Sequence, residues 1–221
     1  MFERASLARV LPFAIYMAFI FIADMLDHAG VPALELRWLY GVKIVAVLAA
    51  LLYFRREYSE LAWPPRLSAS AWSLATACGV LVLVLWINLN AEWMSVGKPS
   101  GFDPQHDGGI DWRLAAMRLA GGALAVPVME ELFWRSFLLR WLVSHDFLAV
   151  RPAMISALPL LVTVVLFGVE HNLWLAGMVA GVVYGGLYWR SGNLWSPIWA
   201  HVVTNGLLGT WILLTGQWTY W

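Results

Sequence analysis

Charge is scarce in this chain. Of its 221 residues, 13% are charged against 61% that are hydrophobic, a balance outside the range of soluble globular domains. Acids and bases cancel to a formal net charge of zero, so there is no electrostatic case for a nucleic-acid partner. The single cysteine, Cys78, sits within an apolar run, which excludes an internal disulfide framework and a multi-cysteine zinc site. Neither a His-Glu-x-x-His helix nor a Gly-x-Ser-x-Gly turn occurs, so the common zincin and serine-hydrolase arrangements are absent. There is no internal repeat and no low-complexity tract.

What the chain has instead is apolar length. Runs approaching the roughly 20 residues that span a bilayer occur at Leu7–Ile22, Leu36–Phe54, Ser70–Leu89, Leu114–Val143, Pro159–Phe167, Leu173–Trp189 and Leu194–Leu214. The expected fold is all-α, a polytopic transmembrane helical bundle of about seven helices, with six to eight as the range. The first run is followed by no small-residue cleavage site and reads as a retained helix. With the N-terminus in the cytoplasm, Arg4, Arg9, Arg55, Arg56, Arg66, Arg140, Arg151 and Arg190 fall inside, while Arg37, Lys98 and Arg113 fall outside. This bias predicts a cytoplasmic N-terminus and an outer C-terminus, in a bacterial inner (cytoplasmic) membrane. Tryptophans such as Trp38, Trp63, Trp93, Trp189 and Trp218 end the runs and read as interfacial anchors.

The stretch AEWMSVGKPSGFDPQHDGGID is the one long polar connection. Its Gly, Pro and Asp content marks it as an outer loop, residues 91–111. Before it lie helices one to three (1–90), with no recognised motif. After it lies a core of helices four to seven (112–221), which carries the clustered chemistry.

Within that core, VPVMEELFWRSFLLR places Glu130, Glu131 and Arg135 in an apolar run, where each charge costs several kcal/mol. Residues four apart share a helix face, so Glu131 can pair with Arg135 while Glu130 points about 100° away. Glu131 therefore stays ionised beside a guanidinium, and Glu130, without a helical partner, is the candidate general base. The competing reading is an ion pair that only pins helices together. In FGVEHN, His171 follows Phe167 by four residues, and in WAHVVTNGL, His201 and Asn205 are again four apart. An isolated membrane histidine is often an interhelical hydrogen bond. Three helices contributing such groups point to a site. Their depths agree if the helix carrying His171 starts near Pro159; a start at Pro152 puts His171 almost at the outer face.

At these residues the chain resembles the CPBP family of intramembrane proteins, the CAAX prenyl endopeptidase and bacteriocin-processing group that includes the Rce1-type proteases. The family's paired glutamates with an arginine four residues on match Glu130, Glu131 and Arg135 in EELFWR. Its Phe-x-x-x-His matches Phe167 and His171, and its His-x-x-x-Asn matches His201 and Asn205, in family order. The resemblance covers roughly Leu114 to Leu214 and does not reach the first three helices. It implies an intramembrane endopeptidase acting near the C-terminus of a protein or peptide substrate in or at the bilayer, with no cofactor. Carried over, Glu130 and His171 activate water, His201 and Asn205 stabilise the oxyanion, and Glu131, Arg135 and Phe167 support them. One departure is the polar stretch VSHDFLAVRPAMISALP between the first two motifs.

Three rival readings follow from the same residues. Glu130, His171 and His201 make a two-histidine, one-carboxylate set for zinc. Relatives linked to bacteriocin immunity raise a non-enzymatic binding protein of the same family. Buried Glu and His are also parts of transporters, but the missing repeat leaves no second half to rock against the first. The retention of all six motif residues favours the enzyme.

Overall fold

The structure, a computed structural model, describes residues 3–63, 65–97 and 101–221. Lys98, counted above on the outer side, lies outside the described residues. Among the described residues seven helices run up and down through one bundle: α1 (Arg4–His28), α2 (Ala33–Tyr53), α3 (Ala69–Asn88), α4 (112–141), α5 (Ala157–Val169), α6 (Trp174–Ser191) and α7 (Trp195–Thr215). The all-α architecture is as expected. Helices α1, α2, α3 and α7 are long and apolar enough to cross a membrane. Large apolar side chains such as Val45, Leu81, Leu161 and Val182 face outward, whereas Arg9, Glu131 and Ser136 are wholly buried. This inversion suits a lipid solvent, in which polar groups must find partners inside the protein.

Helix α4 is the axis of the bundle, in contact with α1, α2 and α7. It widens twice into π-helical turns, Gly121–Ala125 and Leu132–Leu138, on either side of the α-helical Val126–Glu131. The first widening has a local cause. Pro127 has no N–H to bond the carbonyl four residues earlier, and its ring crowds that carbonyl. Such turns redirect side chains and gather at functional sites.

Helix α5 has only 13 residues, about 20 Å of rise against a hydrocarbon core of about 30 Å. It starts at Ala157, near the expected Pro159, because Pro152–Met154 folds into a separate 3-10 turn. His171 therefore comes one short helix after the chain re-enters the bundle. Helices α5 and α6 cross where Gly168 meets Gly177; a Cβ on Gly177 would stand 3.0 Å from the Gly168 Cα, a backbone approach only small residues allow.

The polar connection is partly structured. It forms a 3-10 turn at Glu92–Met94 and a short hairpin of β1 (Gln105–His106) and β2 (Gly109–Ile110). Asp107 and Gly108 between the strands both take positive φ, 49° and 80°, as a type I′ turn requires. Backbone bonds from Val96 N to Asn172 O (2.8 Å) and from Phe102 N to Trp218 O (3.2 Å) fasten it over the end of the bundle where α5 turns into α6.

The opposite end is held by a buried ionic knot. Arg9 donates to Glu60 at 2.6 Å and to Ser136 at 2.8 Å, and Arg140 donates to Glu60 at 3.2 Å. Ser136 also hydrogen-bonds Glu60. Arg9 and Arg140, read from the sequence as inner-side charges, thus tie α1 and α4 to the loop between α2 and α3. Burial pushes the Glu60 carboxyl up, but hydrogen bonds and charge from Arg9, with a hydrogen bond from Ser136, outweigh it and hold the group below its ordinary value. A carboxyl depressed in the folded state contributes stability above its unfolded value and loses it as pH falls through the folded one. Wild-type thermal stability in detergent is therefore expected to decline below about pH 4.5, near the unfolded glutamate value. Glu60→Gln should be less stable at pH 7, by about 3 kcal/mol for a buried pair left with orphan cations, and should show a flatter acid limb.

Candidate active site

The residues singled out in the sequence come from four places in the fold. Glu130 and Glu131 end the α-helical segment of α4, and Arg135 sits in its second π turn. His171 lies in the turn after α5, and His201 and Asn205 lie on α7. Glu130, Phe167, His171, His201 and Asn205 line one cavity of about 170 Å³, together with Tyr16, Trp86, Arg118 and Tyr184.

Glu131 is fully buried and sits outside that lining. Its Oε1 accepts from Arg135 at 3.1 Å, the expected pair, and also from His201 Nδ1–H at 3.1 Å. The second bond was not legible in the sequence, since seventy residues separate the partners. Arg135 extends the network, with its guanidinium 4.5 Å above the Phe167 ring and an N–H directed at the Gly181 carbonyl. Phe167 in turn packs against the His171 ring, centroids 4.8 Å apart. One carboxylate and one guanidinium thereby orient both histidines.

The ring nitrogens follow from their partners. His171 Nδ1 lies 2.7 Å from the Phe167 carbonyl; a carbonyl only accepts, so Nδ1 carries the hydrogen and Nε2 of the neutral ring is left as an acceptor. The phenylalanine four residues before the histidine thus acts through its backbone as well as its ring. Asn205 donates from Nδ2 to the Gly122 carbonyl at 2.9 Å, within the first π turn, where the regular ladder is broken. The amide nitrogen keeps a second hydrogen.

Oε2 of both glutamates is buried without a hydrogen-bond partner among the described residues. Glu131 is held through its Oε1 by Arg135 and His201, whereas Glu130, 4% exposed, has no such anchor and belongs to the cavity lining. A buried carboxylate oxygen is ordinarily satisfied. One that faces a cavity is available to a water or a substrate. Among the described residues no group of three or more His, Cys, Asp or Glu side chains is arranged to hold a metal ion, although Glu130, His171 and His201 share the lining.

Sequence reasoning missed several cavity residues. Tyr184 stacks on His201, centroids 4.9 Å apart, and donates to Thr204 at 2.7 Å. Trp86 meets His171 edge-on at 5.2 Å. An aromatic residue in an apolar run carries no signal that separates it from packing. Arg118 did carry one, as a charge inside the fourth run.

Residues 112–207 match the family model of the Rce1-like type II CAAX prenyl endopeptidases. The match begins at the first residue of α4, ends within α7, and contains every residue of the three motifs. No curated protein and no solved structure matches the chain.

Replacing Glu131 by Gln should leave a buried guanidinium uncompensated and lower thermal stability in detergent by about 3–5 kcal/mol. The double variant Glu131→Gln/Arg135→Gln should be more stable than the single one. A double variant that unfolds at or below the single variant's temperature would show that the pair does not carry this energy.

Proposed function

We propose that this chain, an integral membrane protein with an Rce1-like domain over residues 112–207, is an intramembrane endopeptidase that uses a glutamate-activated water. The observation that carries the reading is the convergence of Glu130, His171, His201 and Asn205 on the lining of one cavity, with Glu130 lacking a hydrogen-bond partner for its Oε2 among the described residues. Its substrate is a membrane-associated protein or peptide, cut near its C-terminus.

Each residue has a role that its surroundings support. Water held between Glu130 and the acceptor Nε2 of His171 gives up a proton to Glu130 as its oxygen attacks the scissile carbonyl carbon. The carbonyl π electrons move onto oxygen, and that oxyanion meets donors from His201 and the second Asn205 amide hydrogen. In that role His201 is doubly protonated, with its Nδ1–H held by Glu131 and its Nε2–H turned to the oxyanion. Collapse of the tetrahedral species re-forms the carbonyl, breaks the C–N bond and delivers the Glu130 proton to the leaving amine. Preorganised donors of this kind are worth about 3 kcal/mol each in soluble proteases. Glu131 and Arg135 take no part in proton transfer; they hold the donors in place.

Glu130→Gln keeps the size of the side chain and removes the proton acceptor. Cleavage should fall about 100-fold to 10,000-fold, with thermal unfolding nearly unchanged. Full activity in this variant would overturn the assignment of the base.

Catalysis is proposed to need no metal. Activity of the purified protein should survive strong chelation, with zinc well below one equivalent by elemental analysis. Loss of activity on chelation with rescue by zinc alone would convert Glu130, His171 and His201 into a zinc set.

A further inference from the structure

A second, larger cavity of about 490 Å³ opens beside the first, bounded by α1, α2, α4 and the polar connection. Tyr16, Arg118 and Trp221 belong to the walls of both. Two cations meet at this junction. The Lys43 ammonium lies 3.9 Å from the centre of the Tyr16 ring and 4.9 Å from that of Tyr40, and the Arg118 guanidinium lies 4.3 Å from the same Tyr40 ring. Lys43 is 9% exposed, and Arg118 Nε is buried with no hydrogen-bond partner.

Among the described residues neither cation has an ion-pair partner. Asp24, Asp27 and Asp103 line the outer cavity as well, but Asp24 lies beside His28 and Asp103 accepts from the Gln105 backbone. The contrast with the other buried cations is sharp, since Arg9, Arg135 and Arg140 each have a glutamate. Aromatic faces ease the burial of a cation, yet two like charges on one ring repel each other. Such a pair is stabilised by an anion that arrives from outside.

The wall between this junction and Glu130 is continuous. Arg118, Gly122, Val126 and Glu130 recur every fourth residue along α4 and all line the first cavity. Small side chains at the two middle positions leave room along it. Twelve helical residues rise about 18 Å, a span that about five residues of extended peptide cover.

We propose that Lys43 and Arg118 form a binding site for the C-terminal carboxylate of a peptide lying along α4, which sets how far from that terminus the chain is cut. The choice of a peptide as ligand rests on the hydrolase reading above; the anion site itself rests on the two unpaired cations. The bound carboxylate would accept from the ammonium and the guanidinium while the scissile bond reaches Glu130. The released fragment should be about five residues long or shorter, by the same reach.

The test separates the site from the chemistry. Glu130→Gln in detergent is titrated with two fluorescent hexapeptide libraries, randomised in sequence, one ending in a free acid and the other in an amide. The acid library is expected to bind about 10-fold or more tightly, the effect of one charge-assisted hydrogen bond. In Lys43→Met or Arg118→Met added to this background, read in whichever keeps the parent's thermal stability, the acid-to-amide ratio should fall toward one. Equal binding of the two libraries, or binding by neither, overturns the proposal without the need for any variant of the two cations. If phosphatidylglycerol in mixed micelles binds the parent more tightly than the Lys43→Met or Arg118→Met variant while the two libraries bind alike, the anion is a lipid headgroup and the proposal fails. Cleavage is read separately with the wild type. An acid library that binds preferentially but is not cut leaves the anion site standing and sinks the hydrolase reading.

Discussion

The rest of the structure depends on the cost of a charge in lipid. A carboxylate or guanidinium inside an apolar bundle is tolerated only with a partner and the remaining hydrogen bonds in place. Glu131 finds two partners for one of its oxygens, Arg135 and His201, and in doing so it brings α4 and α7 together at a defined register. Arg135 then reaches the Phe167 ring and the Gly181 carbonyl, which recruits α5 and α6. A single buried ion pair therefore positions four helices and, through them, both histidines.

Glu130 makes sense against that background. It shares the helix turn and the burial of Glu131 but not its partners. The difference between adjacent residues comes from helix geometry, since about 100° of rotation turns one carboxylate into the network and the other toward the cavity. The π turns on either side sharpen the division. The first presents the Gly122 carbonyl to Asn205, and the second contains Arg135. In the proposed mechanism α4 supplies both the reactive group and the rigid frame that holds it.

The two ends of the bundle differ in kind. The end that holds Arg9, Glu60, Ser136 and Arg140 is closed by a satisfied ionic knot, while Lys43 and Arg118, with no ion-pair partner among the described residues, stand beside two cavities that share wall residues. A satisfied network stiffens the fold; an unsatisfied one is poised for a ligand. The short α5 belongs to this division too. Ending about 20 Å after it starts, it leaves His171 within the bundle and lets the polar connection fold over the turn.

Much of this was legible in the amino-acid order because it depends on local periodicity. Apolar runs mark the seven helices, and the four-residue spacing of Glu131 and Arg135 states their pairing in a helix before any fold is known. Glu130, His171, His201 and Asn205 stand out because a polar group in an apolar run needs a reason. What the order could not contain is which runs face one another. The bond from His201 to Glu131, the Tyr184 ring on His201, and the meeting of Lys43 from α2 with Arg118 from α4 join residues far apart in sequence, and no spacing rule reaches across helices. Those contacts follow from packing, in which Gly168 and Gly177 let two backbones touch and Pro127 opens a helix turn. The sequence by itself determined where charge enters the membrane; the tertiary structure decided which charges are neutralised there and which remain free to act.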